Sequence, residues 1–215
     1  METPQRYGIG LLIAALAGVA SLLAAPDLPA EMAMQWDASG TAGNFVDREI
    51  GMALLPVLGV ALLGLFAVLP RIDPLGENVQ QFRAAYDWFA VLTVGFLAYT
   101  HAIVLAINLG TEFEVVQLLA PAMAVLYVAV GSLLERADRN WFVGIRTPWT
   151  LSDDAVWDRT HERTAWLFKL AGVATLGAVV VPEYGVYFLA GPVSAVALYA
   201  TVFSYVDYRR RENAT

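Results

Sequence analysis

Few side chains in this sequence are of the types that do chemistry. It contains two histidines, His101 and His161, and no cysteine. The lack of cysteine excludes disulfide frameworks, thiolate metal sites and cysteine nucleophiles. The sequence also has no His-Glu-x-x-His run, phosphate-binding glycine loop or Gly-x-Ser-x-Gly elbow. We therefore predict a protein that is not an enzyme and that uses no metal or other cofactor.

The two histidines lie in different surroundings. His161 has carboxylates nearby in sequence, at Asp158 and Glu162, which could make a partial metal site. Two or three ligands of mixed type are not a recognisable zinc or iron signature, so we predict no metal. His101 lies inside an apolar run, where an ionisable side chain suggests a solute pathway or a proton relay. The alternative is a neutral histidine that bonds a hydroxyl or carbonyl group of a neighbouring helix.

Residues 139–157 form the polar stretch around which the rest of the chain is organised, and we call them the signature loop. Gly144 permits a bend, while Pro148 fixes its own φ and moves Thr147 toward extended geometry. Half of the six tryptophans lie in this loop. We expect them in an interfacial belt rather than in a ligand cage, because tryptophan favours the membrane–water boundary: Trp141, Trp149 and Trp157.

An amphipathic helix is predicted to follow the loop. Thr150 or Ser152 offers a helix cap, and Asp153 and Asp154 fall in the first turn, where the helix dipole favours negative charge. One helix face is predicted to contain Trp157, His161, Thr164, Ala165 and Phe168. Carboxylates at i, i+4 spacing form a separate row, which we interpret as a solvated face with docking of a basic protein as the alternative: Asp154, Asp158 and Glu162.

The elements that position these residues are long apolar blocks. Of the 215 residues 58% are hydrophobic and only 15% are charged, against about 25% charged in an ordinary soluble domain. Six blocks are long enough to cross a hydrocarbon core of ~30 Å, which needs roughly 20 helical residues. In lipid they must be helices, since only helices satisfy their own backbone there. The sequence predicts an all-α, six-helix membrane bundle with spans near 7–25, 50–69, 86–108, 115–134, 164–181 and 186–206.

The basic residues predict the orientation. If the amino terminus is inside, 12 of the 13 basic residues fall in cytosolic segments and only Arg48 falls outside. Because cytosolic loops carry an excess of arginine and lysine, we predict both termini and the signature loop in the cytosol. The chain is then one membrane domain, 1–215, of the plasma membrane. It has an extracytosolic loop at 26–49 and a cytosolic segment at 135–163.

The extracytosolic loop is the second informative interval. The sequence from Asp37 to Gly40 and the pair Gly43-Asn44 have the chemistry of turns. Trp36 and Phe45 are expected at the outer headgroup level. We take Trp36, Asp37 and Gly40 as the candidate residues of this loop.

The signature loop resembles that of the SdpI-type immunity family. The resemblance rests on Asn140, on the run Gly144-Ile145-Arg146-Thr147-Pro148-Trp149-Thr150-Leu151-Ser152, and on Val156-Trp157 and Thr160-His161. The six apolar blocks with this loop after the fourth also match, as does the outer stretch 28–45. One position departs from the pattern. The family's outer loop often carries a histidine immediately before the aromatic residue, and here that position is Gln35.

The resemblance implies an integral membrane protein that protects its producer from a secreted peptide toxin. It further implies a signalling role, in which the protein holds a cytosolic repressor at the membrane. The implied partners are therefore a peptide toxin, a cytosolic repressor or regulator, and membrane lipids. The functional residues that it implies are Asn140, Gly144, Arg146, Thr147, Pro148, Trp149, Trp157 and His161.

Alternatives stay open at this point. Arg146 could bind an acidic partner or a lipid phosphate, or it could be an interfacial arginine that only marks topology. The protein could instead be a small transporter or channel that uses His101 with Thr100 and Asn108. A membrane enzyme is a third hypothesis, for which the sequence offers no complete catalytic set. We expect no direct binding of nucleic acid, since the run Arg209-Arg210-Arg211 is too short for a nucleic-acid arm.

Overall fold

The computed structural model describes residues 1–37, 41–112 and 114–213. Within them, six helical segments are long and apolar enough to cross a membrane, which confirms the six predicted spans. The fifth span is formed by α7 and α8 together. The helices are α1 (Thr3–Ala24), α2 (Arg48–Ile72), α3 (Gly76–Gln81), α4 (Arg83–Asn108), α5 (Val115–Leu134), α6 (Pro148–Ser152), α7 (Asp154–Thr175), α8 (Gly177–Val180) and α9 (Gly185–Glu212), with a 3-10 turn at Pro182–Tyr184.

Consecutive spans alternate in direction, so the bundle has two distinct ends. We call the end that carries the signature loop the loop end, and the opposite end the hairpin end. Interactions between distant parts of the chain hold the loop end together. Arg159 of α7 pairs with Asp207 of α9 at 2.8 Å, and Lys169 of α7 pairs with Glu135 after α5 at 2.7 Å. Which end faces the cytosol stays a prediction.

The hairpin end carries strands that the sequence analysis did not predict. Strand β1 (Glu31–Trp36) pairs antiparallel with β2 (Ala42–Asp47), and the pairing is irregular near Gln35. The pair Gly43-Asn44, predicted as a turn, lies within β2. Gly40 lies outside the described residues. The hairpin is fixed to the bundle through Asn108 at the end of α4, which bonds the N–H group of Ala33 at 2.8 Å and its carbonyl oxygen at 3.0 Å.

A fully buried carboxylate joins the first and third spans at the loop end. Asp87 of α4 accepts hydrogen bonds from Thr3 Oγ1 at 2.6 Å and from Arg83 Nε at 2.7 Å. Arg6 completes the group with an ion pair of 3.2 Å. A buried carboxylate is costly unless it is paired and hydrogen-bonded, and these three partners satisfy it. The start of α1 is thereby bound to the start of α4.

Glycines allow α5 and α7 to pack closely. A Cβ atom at Gly172 would lie 2.7 Å from the carbonyl oxygen of Ala124, and one at Gly131 would overlap the carbonyl oxygen of Ala165. Small residues at such positions let helix backbones approach each other in a membrane. The fifth span, which begins within the signature loop at Asp154, is therefore packed closely against the fourth.

Candidate functional site

Asn140 organises the first half of the signature loop. Its side chain is fully buried. The amide nitrogen donates to the carbonyl oxygens of Asp138 and Val143 at 2.8 and 2.9 Å. The amide oxygen accepts from the N–H groups of Phe142 and Val143 at 2.9 and 2.6 Å. One side chain thus pairs with four backbone groups of a turn, which have no partners of the kind that a helix or strand provides. An amide side chain is needed here because it both donates and accepts hydrogen bonds.

Gly144 places the next part of the loop directly over α7. Its φ is +116°, a region that favours glycine because it has no Cβ atom. A Cβ atom here would also overlap Nε2 of His161 and lie 3.2 Å from the ring of Trp157. The predicted bend at Gly144 is confirmed, and close approach to the two rings is a second reason for glycine.

His161 binds the loop through both ring nitrogens. The N–H group of Ile145 donates to Nε2 at 2.9 Å, and Nδ1 lies 2.8 Å from the carbonyl oxygen of Trp157. Because Nε2 accepts a hydrogen bond, it carries no proton, and the proton of the neutral ring is on Nδ1, which donates to that carbonyl oxygen. No nitrogen lone pair is left for a metal ion. Among the described residues, no group of three or more potential metal-binding side chains comes together.

Trp157 does not lie in an interfacial belt, and that prediction was wrong. The side chain is 0% exposed, and its Nε1 donates to the carbonyl oxygen of Ala137 at 2.7 Å. The indole stacks on the His161 ring with the centroids 3.9 Å apart. It belongs to the core of the loop end, together with Phe82, Tyr86 and Leu133. Of the predicted helix face, Trp157, His161, Thr164 and Ala165 are buried, as expected from the periodicity, and Phe168 is half-buried.

The second half of the loop is anchored by hydroxyl groups. Thr150 is fully buried and donates to the carbonyl oxygen of Ile145 at 2.7 Å. Thr147 is the N-cap of α6, which Pro148 begins, and its Oγ1 lies 3.1 Å from Oγ of Ser204 in α9. Trp149 packs against Tyr205 of α9 at 5.0 Å between ring centroids. Thr147, Pro148 and Trp149 therefore join the loop to the last span.

The cap of α7 differs from the prediction. Neither Thr150 nor Ser152 caps this helix; Asp153 does, by accepting from the N–H groups of Ala155 and Val156 at 2.8 and 3.1 Å. Thr150 is used inside α6 instead. Burial raises the pKa of Asp153, but the hydrogen bond from Val156 and the nearby Arg211 guanidinium outweigh it, so that the pKa is lowered. Of the two acidic residues predicted in the first turn of α7, Asp154 lies there, whereas Asp153 is the cap.

Arg146 and Trp141 are exposed at the site, as is Pro148. Arg146 Nη1 donates to the carbonyl oxygen of Trp141 at 2.7 Å, and the Trp141 side chain is 50% exposed. The predicted carboxylate row of Asp154, Asp158 and Glu162 is also exposed. The loop end thus presents a guanidinium, an indole and carboxylates on top of a rigid framework. Both interpretations of Arg146 stay open.

Sequence reasoning missed two residues that hold the loop from below. Asp73, just after α2, is buried and accepts from the N–H group of Trp141 at 2.9 Å. Asn78 of α3 donates to the carbonyl oxygen of Arg139 at 2.7 Å. These partners lie 68 and 61 positions apart in the sequence. The local sequence pattern does not predict contacts between residues that are so far apart in the chain.

The remaining candidates lie away from the loop. His101 of α4 is buried, and its Nε2 lies 2.6 Å from Oγ of Ser21, which in turn donates to the carbonyl oxygen of Met52 at 2.9 Å. This is the hydroxyl contact of the simpler interpretation, although Nδ1 has no partner among the described residues. Trp36 and Asp37 lie at the hairpin end. The structure therefore does not bring the outer candidates together with the motif residues.

Comparisons with known proteins agree with this layout. Residues 136–205 match the model of the SdpI/YfhL protein family, and residues 12–60 match a domain of unknown function (DUF1648). Immunity protein SdpI of Bacillus subtilis (strain 168) is 22% identical over 203 residues, which cover 94% of this chain and 95% of that protein. No solved structure matches. The first family match contains the loop from Asn140 to Trp149 and both rings of the Trp157–His161 stack.

Proposed function

Since this chain is a multi-pass membrane protein of the SdpI/YfhL family, we propose that it protects its producer from a secreted peptide toxin and reports the toxin to a cytosolic regulator. The observation that carries the proposal is the way the signature loop is bonded to the bundle. Its bonds reach the end of α2 through Asp73, α7 through His161 and α9 through Ser204. A displacement of these spans would therefore move the loop.

In this proposal the exposed part of the loop is the surface that a regulator contacts. Trp141 offers an apolar ring, and Arg146, which donates to the carbonyl oxygen of Trp141, offers a cation beside it. Aromatic residues and arginine are enriched at protein interfaces. The buried residues Asn140, Gly144 and His161 have the different role of shaping the loop, so that both exposed groups are displayed only when the spans beneath are correctly placed.

Protection is tested by deleting the gene from its source strain. The deletion strain should lose viability in medium conditioned by the parent strain, and the wild-type gene should restore survival. Medium treated with protease serves as the control, because a peptide toxin is destroyed by it. Equal survival of the parent and deletion strains in untreated medium would contradict the protective role.

Reporting to a regulator is tested with the loop variants. Arg146→Ala and Trp141→Ala should retain protection, because both side chains are at the surface, but should lose the toxin-dependent recruitment of a soluble protein to the membrane. Recruitment is measured by comparing the proteins that sediment with membranes before and after exposure. A loss of protection together with recruitment would instead place these residues in the protective function itself.

The transport alternative is less well supported. It requires a polar route through the third span, whereas His101 is 1% exposed and is bonded to Ser21. Thr100 faces a cavity at the hairpin end, and Asn108 holds the hairpin.

A further inference from the structure

A large cavity lies beneath the hairpin, at the end opposite to the signature loop. Its volume is about 770 Å³, within the ~300–1,000 Å³ that is common for ligand sites. Four spans contribute its walls, through Leu54 of α2, Ile103 of α4, Leu119 of α5 and Leu189 of α9. None of the signature-loop residues lines it. The cavity therefore has no part in the contacts that hold the loop.

The upper border of this cavity is polar and acidic. Trp36 and Asp37 border it from the hairpin, and Glu114 borders it from the start of α5. Asp37 also accepts from the N–H group of Thr41 at 3.0 Å. An apolar chamber with an indole and carboxylates at its border suits a ligand that is apolar along its length and positively charged at one point.

The distribution of charge over the whole molecule favours the same ligand. The loop end has twelve carboxylates and twelve basic side chains, whereas the hairpin end has eight carboxylates and only Arg48. The formal net charge of −7 therefore lies entirely at the hairpin end. A field of one sign around an apolar cleft raises the local concentration of oppositely charged ligands. Anionic ligands are disfavoured for the same reason.

We propose that the cavity beneath the hairpin is a binding site for a cationic, apolar peptide segment that arrives from the hairpin side. This inference rests on the proposed function, because it names the part of the molecule that such a toxin would occupy. The apolar stretch of the peptide lies between Leu54, Leu119 and Leu189, and its cationic group lies near Asp37 and Glu114. An occupied cavity pushes on α4, α5 and α9, which run to the loop end.

The site is tested with the full chain in phosphatidylcholine nanodiscs and a fluorescein-labelled synthetic peptide of leucine and lysine as the probe. Fluorescence anisotropy should show saturable binding above that of empty nanodiscs, weakened by added salt because exposed charges are screened. Leucine–glutamate and leucine–serine peptides are the matched probes for charge and should bind more weakly. Equal binding of the leucine–serine peptide would overturn the cationic assignment, and binding no better than that of empty nanodiscs would overturn the site.

Two variants locate the probe within the molecule. Leu119→Trp fills the chamber and should weaken binding by at least about tenfold, equivalent to ~1.4 kcal/mol, while Leu12→Trp makes the same change on an exposed face of α1 and should not. Glu114→Gln should weaken binding by about two- to fivefold, as expected for an exposed charge pair. Glu162→Gln removes the same charge from the loop end and should leave binding unchanged. Unchanged binding in Leu119→Trp would overturn the assignment to this cavity, and unchanged binding in Glu114→Gln would overturn the position given to the cationic group.

These outcomes are distinct from those that test protection. If the gene protects its strain but the probe binds regardless of Leu119→Trp, the cavity is wrong and the immunity role stands. If the probe binds in the cavity but the deletion strain survives normally, the site stands and the immunity role is wrong. In the case that both hold, Leu119→Trp should also abolish protection in the source strain.

Discussion

His161 determines the shape of the signature loop at the level of single residues. It accepts from one backbone N–H group, donates to one carbonyl oxygen and stacks on Trp157. The His161 side chain is buried, and these three contacts join a polar loop to an otherwise apolar core. A histidine that had been considered for metal binding is thus used as a neutral structural group. Replacement of His161 should therefore disturb the signature loop more than the membrane spans.

Gly144→Ala should lower the stability of the protein. The added Cβ atom meets both a positive φ of +116° and the ring of His161, and a non-glycine residue in such a conformation costs about 1–3 kcal/mol. Thermal unfolding of the detergent-solubilised protein measures the change. Gly18→Ala is the matched control, since a Cβ atom there meets nothing within 4 Å. Equal unfolding temperatures for the two variants would contradict the role of Gly144.

His161→Phe should open the signature loop while leaving the core filled. Phenylalanine keeps a ring against Trp157 but leaves the N–H group of Ile145 unpaired, which costs ~1–3 kcal/mol. Trypsin should then cleave after the exposed Arg146 about tenfold faster than in the wild-type protein. Glu162→Gln changes an exposed neighbour and should leave the rate unaltered. A variant cleaved at the wild-type rate would show that His161 does not hold the loop.

At the scale of elements, the start of α7 connects the loop to the last span. Asp153 caps α7 through two backbone N–H groups, and its other carboxylate oxygen lies 3.2 Å from Arg211 Nε at the end of α9. Because α6 ends at Ser152 and α7 begins at Asp154, this one residue sets the angle between the two helices. The loop is thereby bonded to α9 at two positions, through Thr147 and through Asp153.

Asp153→Ala should lower stability by about 0.5–2 kcal/mol at neutral pH, the usual cost of losing an N-cap. The pKa of Asp153 is lowered in the folded protein, so its charge stabilises the fold above the ordinary aspartate pKa of ~3.9. That contribution disappears as the pH falls through the lowered value. The difference between the wild-type protein and Asp153→Ala, measured as thermal midpoints over a pH series, should therefore shrink in acid.

Asp153→Asn provides the control for that series. The amide oxygen can still cap α7, but it carries no charge for Arg211. Its stability should lie close to that of the wild-type protein at neutral pH and should lack the acid-dependent part. A loss as large as that of Asp153→Ala would mean that the pairing with Arg211, and not the cap, stabilises this element.

At the scale of the whole molecule, charge and geometry divide the bundle into two different ends. The loop end is electrically balanced and densely hydrogen-bonded, whereas the hairpin end has the entire net charge and a large cavity. The six spans connect the two ends. This division suits a protein that binds a ligand at one end and contacts a regulator at the other.

The orientation of the molecule is tested with single cysteines, since the native chain has none. Phe45→Cys at the hairpin end and Trp141→Cys in the signature loop replace side chains that are 54% and 50% exposed. An impermeant maleimide added to intact cells should label Phe45→Cys only, because the arginine distribution predicts that the loop lies in the cytosol. Permeabilised cells should label both variants. Labelling of Trp141→Cys in intact cells would reverse the predicted orientation.

Much of the candidate site could be predicted from the sequence, but not the role of each residue in it. The bend at Gly144, the exposed carboxylate row and the buried face of α7 all follow from local spacing or periodicity, and the structure confirms them. The interfacial position of Trp157 was wrong, because its burial depends on residues from other elements, among them Ala137 and Phe82. Asp73 and Asn78 were missed for the same reason.

By itself, the sequence determined the six spans and the loop between the fourth and the fifth. Hydropathy over ~20 residues is a local property, and a membrane leaves an apolar block only one regular structure that satisfies its backbone. Only the tertiary structure decided what the polar residues do. Asp87 with Arg6, His101 with Ser21 and Asp73 with Trp141 are pairs separated by 68 to 81 positions. Such pairs, like the hairpin and the cavity beneath it, exist only once the helices have packed.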